Sequence, residues 1–238
     1  MRRRLLGAFI ALLLCAAALA MLTRRQFVVS RAMTPTLQTG DTFLMSRLSY
    51  GVSRHSFASL ARYFPDRLWS SMPQRGDVAV VKLPRDGQSD FVSRVIGLPG
   101  ERVQMRAGRL YINDLLVERE ALAPAVIADR DGKAVNVPAY AETLPGGVRH
   151  DIIEAEGDTG RLDTTAMFDV PPGYYFLMGD NRDSSVDSRL PEAYGLGFVP
   201  FGNFVGRALI VVWSADADLG GPLSASRVQW NRVLHRLR

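Results

Sequence analysis

Apolar positions fall into two regimes along the 238-residue chain. Residues 5–22 form an unbroken uncharged run, preceded by Arg2, Arg3 and Arg4 and closed by Arg24 and Arg25. Eighteen residues at about 1.5 Å each reach about 27 Å, close to the roughly 30 Å of a bilayer core. The run predicts one N-terminal transmembrane helix, with residues 1–25 as anchor and basic flanks. A cleaved signal peptide stays open beside it, since Ala18-Leu19-Ala20 is a small-x-small site. The length of the run and the basic pair beyond it favour the retained anchor. A lipoprotein signal at Cys15 is disfavoured by bulky Leu14. Arginines on both flanks leave the orientation weakly set.

Past the anchor, hydrophobic residues come in short runs rich in β-branched and aromatic types, bounded by turn residues. Strands are predicted at 26–30, 42–45, 77–83, 91–96, 167–170, 174–178 and 204–212, with a hairpin of 102–105 and 109–112 around Ala107-Gly108. Two stretches depart from the pattern. Residues 46–74 mix arginines with Tyr50, Phe57, Tyr63, Phe64, Leu68 and Trp69, which suits either a membrane-interface surface or a short helix packed on the core. Residues 113–166 are richer in charge, glycine and proline and predict an inserted subdomain with long loops. The tail from 227 to 238 reads as a basic helix, on anionic lipid or exposed. The expected fold is mostly β: an antiparallel domain over 26–220 with an insertion at about 113–166, behind one transmembrane helix and followed by a basic tail at 221–238.

Composition changes this picture in three ways. Hydrophobic residues at 47% and charged residues at 22% exclude a wholly disordered or collagen-like chain. The net charge of +5 belongs to the two ends, because residues 26–220 carry a net of −4. A nucleic-acid binder would place its basic surplus in the folded body, so a membrane surface is the expected partner and nucleic acid is not. Only Lys82 and Lys133 are lysines, against 27 arginines, so any mechanism needing a lysine base has two candidates. Cys15 is the only cysteine, which excludes an intrachain disulfide and a cysteine zinc site. His55, His150 and His235 are scattered and read as surface or loop residues; no metal and no cofactor is expected.

Three local patterns occur in order. The first is Ser30-Arg31-Ala32-Met33-Thr34-Pro35-Thr36-Leu37, followed by Gly40-Asp41. The second is Arg75-Gly76-Asp77-Val78-Ala79-Val80-Val81, then Phe91-Val92-Ser93-Arg94-Val95-Ile96-Gly97-Leu98-Pro99-Gly100-Glu101. The third is Met178-Gly179-Asp180-Asn181-Arg182-Asp183-Ser184-Ser185-Val186-Asp187-Ser188-Arg189, with Gly197-Phe198-Val199-Pro200 and Val205-Gly206-Arg207-Ala208 behind it. Singly, each is a turn flanked by strands, and Gly179–Asp183 alone could be a loop held by an Arg–Asp pair.

Together, behind an apolar N-terminus, they closely resemble bacterial type I signal peptidases over nearly the whole chain. The resemblance implies a single-pass protein of the bacterial cytoplasmic membrane, its antiparallel β domain on the outer face, that removes signal peptides after a small-x-small sequence. It also implies Ser-Lys chemistry, in which a serine attacks the scissile carbonyl and a desolvated, unprotonated lysine takes its proton. The oxyanion is met by a backbone N–H and a hydroxyl two residues before the nucleophile. The substrate binds as an added strand.

Carried over residue by residue, the resemblance places the nucleophile at Ala32 and the base at Ser93, so both dyad members are absent. Ser30 matches the oxyanion serine and Ser185 the lysine-orienting serine. Arg94, Asp180, Asp187 and Arg189 match the charged scaffold, and Phe27, Val28, Val29, Asp90, Phe91 and Val92 the peptide groove. Ser30 as replacement nucleophile would sit about 6–7 Å away along a strand. Lys82 and Lys133 match no base position, and no histidine does. Two readings follow. One is a catalytically impaired homologue that binds signal peptides or pairs with an active paralogue. The other is an active signal peptidase with a different constellation, or an engineered inactive form of one.

Overall fold

Hydrogen bonding decides where the chain is strand, and it decides differently from local composition in several places. In the computed structural model, residues 22–56, 67–128, 133–215 and 228–237 are described. In chain order the strands are β1 (Thr23–Phe27), β2 (Asp41–Ser46), β3 (Val78–Lys82), β4 (Asp90–Gly97), β5 (Arg102–Arg106), β6 (Arg109–Ile112), β7 (Leu115–Leu116) and β8 (Glu118–Ala121). They continue as β9 (Ala125–Ala128), β10 (Ala134–Val137), β11 (Ala139–Leu144), β12 (Val148–Ile153), β13 (Phe168–Asp169), β14 (Tyr174–Met178), β15 (Val199–Pro200) and β16 (Phe204–Ser214). The architecture is mostly β, and every strand pair is antiparallel. Among the described residues no helix is long and apolar enough to cross a membrane; residues 1–21 of the expected anchor lie outside them.

The principal sheet has seven strands in the order β1-β2-β16-β3-β4-β14-β15. Its centre explains its stability. In β3, Val78 and Val80 pack with Phe43, Met45, Met33 and Leu37, while Ala79 and Val81 pack with Tyr50, Tyr175, Leu177 and Phe204. Side chains alternate across a strand, so an unbroken apolar run places a core on both faces. β16 carries register shifts against β2 and β3, and such bulges let a sheet coil. Gly206 sits at one of them: a Cβ there would stand 2.2 Å from the Ser46 carbonyl oxygen. The coiling brings the edge strand β1 close to β4, three strands beyond its neighbour β2. The Gln26 amide on β1 donates to Asp90 on β4 at 3.2 Å, with the Arg24 guanidinium at 3.5 Å.

Four expectations need correction. The strand expected at 26–30 runs three residues earlier, because β2 begins only at Asp41 and the turn at Gly40 leaves only Thr23–Phe27 opposite a partner. The long loops expected in 113–166 are largely strands: β8, β11 and β12 form one sheet and β9 with β10 another. The β11–β12 hairpin turns at Gly146-Gly147, and its inward positions hold charged groups, which disguised its alternation. Tyr50 is no interfacial aromatic. It is buried edge-on against Phe204 at 5.2 Å and donates its hydroxyl to Asp77, whereas Leu68, Trp69 and Met72 are exposed and Phe57, Tyr63 and Phe64 lie outside the described residues.

The described part of the tail, the fourth case, is no helix. It lies along β16 through bridges at Val228 and Arg236, and Leu237 enters the core. Arg232 then reaches the turn beyond Ala32. It donates to both oxygens of the fully buried Asp41 at 3.1 and 2.5 Å and to the carbonyl of Thr36 at 3.0 Å. Removing one partner of a buried pair leaves the other charge uncompensated. Arg232→Met should therefore cost about 3–5 kcal/mol of stability in urea unfolding. A loss below about 1 kcal/mol would show the tail to be dispensable decoration.

Candidate functional site

The residues expected to form a site come from three segments far apart in sequence, and the fold brings them together. Phe27, Val28, Val29, Ser30, Ala32, Asp90, Phe91, Val92, Ser93 and Ser185 all line one cavity of about 380 Å³. Met33 and Leu37 form part of its apolar floor, and Ser184 and Val186 complete its rim. One wall is the segment after β1, where Val28 is tied to Gly40 and Asp41 by backbone bonds and Val29 and Ser30 run out exposed. The opposite wall is the start of β4. β14 pairs only with Arg94–Gly97, so residues 90–93 have β3 on one side and no strand on the other among the described residues. An extended peptide could complete that edge by strand addition.

The Ala32 end is held by backbone contacts. Its carbonyl accepts from the Asn181 N–H at 3.0 Å, and the Asn181 side chain donates to the Arg31 carbonyl at 3.2 Å. Ala32 N–H donates to the Ser30 hydroxyl oxygen at 3.1 Å. The Ala32 N–H is thereby used, and the Ser30 O–H is left as the donor at this partly exposed corner. Ser185 belongs to the same corner: the point where a Cβ on Gly179 would stand is 2.3 Å from its Oγ and 2.5 Å from the Ala32 oxygen. Only glycine permits this approach. Ser93 is 2% exposed and lies across from Ala79 on β3.

Beneath the groove the charged residues pair off in the interior. Arg94 donates from Nε and Nη2 to the two oxygens of Asp180 at 2.8 and 2.7 Å, and from Nη1 to the Gly76 carbonyl at 2.8 Å. Thr36 adds a hydroxyl to Asp180 at 2.5 Å. Burial alone would raise the Asp180 carboxyl, but Arg94 and these hydrogen bonds hold it below the usual carboxylate range. Asp187 is likewise held low by Arg189 and by the N–H groups of Gly179 and Arg189, against the effect of burial. Arg189 in turn donates to the Arg182 carbonyl, and Arg182 clasps both oxygens of Glu142. Thus Arg94, Asp180, Asp187 and Arg189 lie under the cavity and do not line it.

Sequence reasoning missed three members of this layer. Glu142 and His150, on β11 and β12, sit far from every motif, and nothing local marks them as partners of the Gly179–Arg189 loop. His150, expected at the surface, is buried with Nε2 at 3.7 Å from Glu142 and 3.8 Å from Asp180. Asn181 lay inside a quoted motif, and only the fold shows what it holds. Burial and the neighbouring Arg94 outweigh the two carboxylates and push the His150 imidazole down to about 4.

Among the described residues no lysine, histidine or cysteine lines the cavity, and the carboxylate there is Asp90. Lys82 pairs with Asp90 at 2.8 Å and stands three register positions from Ser93, about 10 Å along the sheet. Lys133 opens the segment of β10, in a different sheet, and His55 and His235 are not among the lining residues.

Comparison with known proteins places these features in one group. The model of the family described as signal peptidase, peptidase S26 matches residues 1–213. The signal peptidase I of Rickettsia typhi is 34% identical over 205 residues, covering 81% of this chain and 75% of that protein. That of Rickettsia prowazekii is 33% identical over 227 residues, covering 90% and 83%. A crystal structure of a signal peptidase I from Enterococcus faecalis V583 is 27% identical, covers 58% of this chain and 97% of that one, and has a TM-score of 0.32.

Two outcomes follow from the geometry. The folded state keeps His150 neutral down to about pH 4, whereas the unfolded chain protonates it near its ordinary 6.5. Its contribution is therefore complete above pH 6.5 and lost as pH falls through 4, on the order of 3 kcal/mol. His150→Gln should flatten the stability–pH curve across that window; an unchanged acid limb would reject the assignment. Gly179→Ala should cost about 1–3 kcal/mol by overpacking against Ala32 and Ser185, read as a lower urea midpoint at unchanged slope.

Proposed function

The chain belongs to the signal peptidase family, peptidase S26, and on that premise we propose that it is a catalytically impaired member whose groove holds signal-peptide segments without cutting them at the family's rate. The observation that carries this reading is the composition of the groove wall. Among the described residues that line the cavity around Ala32, none pairs a nucleophile with a lysine or histidine acceptor. Loss of a nucleophile or base in a serine hydrolase costs on the order of a million-fold in turnover. Ser30 does not restore it, since its hydroxyl is engaged with the Ala32 N–H and no lysine or histidine lines the cavity.

What survives is the binding half of the machinery. The open edge of residues 90–93, the exposed backbone of Val29 and Ser30 and the apolar floor suit an extended chain with small side chains alternating into the pocket. The Ser30 O–H, whose oxygen accepts from the Ala32 N–H, would hold the carbonyl of a bound peptide. Binding to an active paralogue, or competing with it for substrate, is the role we assign to such a groove.

The membrane setting is part of the proposal. Residues 1–25 are read as the anchor, 26–220 as the signal-peptidase-like domain on the outer face of the cytoplasmic membrane, and 221–238 as its basic tail. Exposed Leu68, Trp69 and Met72 form an apolar patch consistent with lipid contact. No cofactor is called for by this chemistry.

The decisive experiment incubates the full chain in detergent with a pre-protein bearing an Ala-x-Ala site, beside an Ala32→Ser/Ser93→Lys double variant. Position 93 is buried enough that desolvation would favour a neutral lysine there. No cleavage is expected from the unaltered chain and measurable cleavage from the double variant. Efficient cleavage by the unaltered chain would sink the impaired reading. Titration with the uncleaved signal peptide should give saturable binding, and its absence would remove the binding role.

A further inference from the structure

Away from the groove, three carboxylates converge from three separate segments. Glu154 follows β12, Asp163 lies in the loop before β13, and Asp183 belongs to the loop between Gly179 and Arg189. One oxygen from each lies within 4.8 Å of the other two. Like charges so close repel unless something positive sits among them.

The surrounding protein does not supply it. Glu154 is completely buried, and neither of its carboxylate oxygens accepts a hydrogen bond. Asp163 is 2% exposed, and its Oδ1 is also without a donor. The nearby guanidinium groups make their hydrogen bonds elsewhere, Arg182 to Glu142, Arg189 to Asp187 and Arg119 to both oxygens of Asp158 at 2.9 Å; Arg119 pairs with Glu154 only at 4.0 Å, and no guanidinium donates a hydrogen bond to Glu154 or to Asp163 Oδ1.

The backbone instead orients the carboxylates. The Gly160 N–H donates to Asp163 Oδ2 at 2.6 Å and the Glu156 N–H to Asp183 Oδ2 at 2.7 Å. Gly160 leaves room for both: a Cβ there would stand 2.2 Å from Asp183 Oδ1 and 3.1 Å from Asp163 Oδ2. Three converging carboxylates, two of them buried with unpartnered oxygens, make a hard-cation cradle.

The geometry points to Glu154, Asp163 and Asp183 as ligands of a divalent cation of the calcium class. All-oxygen donors exclude a preference for soft metals. Calcium bonds of 2.3–2.6 Å put opposite ligands about 4.6–5.2 Å apart, which the span of the cluster accommodates, and calcium tolerates irregular geometry where magnesium demands a tight octahedron. The ion would tie the end of β12 to the loop that carries Ser185 two residues further on, stiffening one rim of the cavity from behind. The inference does not depend on whether the groove binds or cleaves peptides.

The test uses the full chain in detergent, stripped with a chelator and titrated with calcium chloride or magnesium chloride. Calcium at a few millimolar should raise the thermal midpoint by about 5 °C, and calorimetry should give one site per chain. A Glu154→Gln/Asp163→Asn double variant should lose both responses, while Glu118→Gln, an exposed carboxylate elsewhere, should keep them. No heat and no shift with the unaltered chain would overturn the site, even if the double variant failed to fold. An equal response to magnesium, or an equal shift in the double variant, would overturn it as well.

Discussion

Everything around the groove depends on one buried ion pair. Arg94 and Asp180 are shielded from solvent almost completely, and their contacts join different parts of the chain. Arg94 holds β4 to the Gly76 turn. Asp180 accepts from Thr36 beyond Ala32, and its own carbonyl accepts from the Ile153 N–H at the end of β12. A charge in the interior is tolerable only with its partner and its remaining hydrogen bonds in place. The pair therefore acts as a constraint on all four segments at once. Displacing any of them would strand an ion.

That constraint explains why positions around the groove differ in what a substitution would cost. Ala32 contributes its N–H and carbonyl to the corner, and those bonds do not depend on its side chain. Ser93 is a small buried group that satisfies the packing between β3 and its neighbours. Neither position holds a charge whose loss would unpair another. Arg94, Asp180, Asp187 and Arg189 are different, because each is the counterion of a buried partner. Sequence can drift at the reacting positions with little effect on folding, while the charged layer beneath stays fixed by its own electrostatics.

Legibility follows the same division. The strand at Tyr174–Met178 is readable to the residue, since a Pro171-Pro172-Gly173 turn and Gly179 bracket an apolar run. The β5–β6 hairpin is nearly so, because Ala107 and Gly108 both adopt positive φ at its turn. β1 is misread by three residues, since its most β-like residues, Phe27-Val28-Val29, run past the end of their partner. The tail is misread as a helix because its spacing of apolar residues ignores β16, against which it lies. The strands in 139–153 pass for loops because two of their inward side chains, Glu142 and His150, are polar groups set against distant motifs.

Residue types and their order, read alone, determined the family, the alternation of strand and turn, and the absence of serine and lysine at positions 32 and 93. Those are local facts, and the chemistry a side chain can perform is settled by its identity. Tertiary structure decided which polar groups share the interior: Glu142 with Arg182, Arg232 with Asp41, and neutral His150 between two carboxylates. It also decided that the segment at 27–30 faces the open edge of 90–93 to make a cavity. Such pairings are set by how a coiled sheet closes on itself, and buried charge leaves no periodic signature from which the partner could be read.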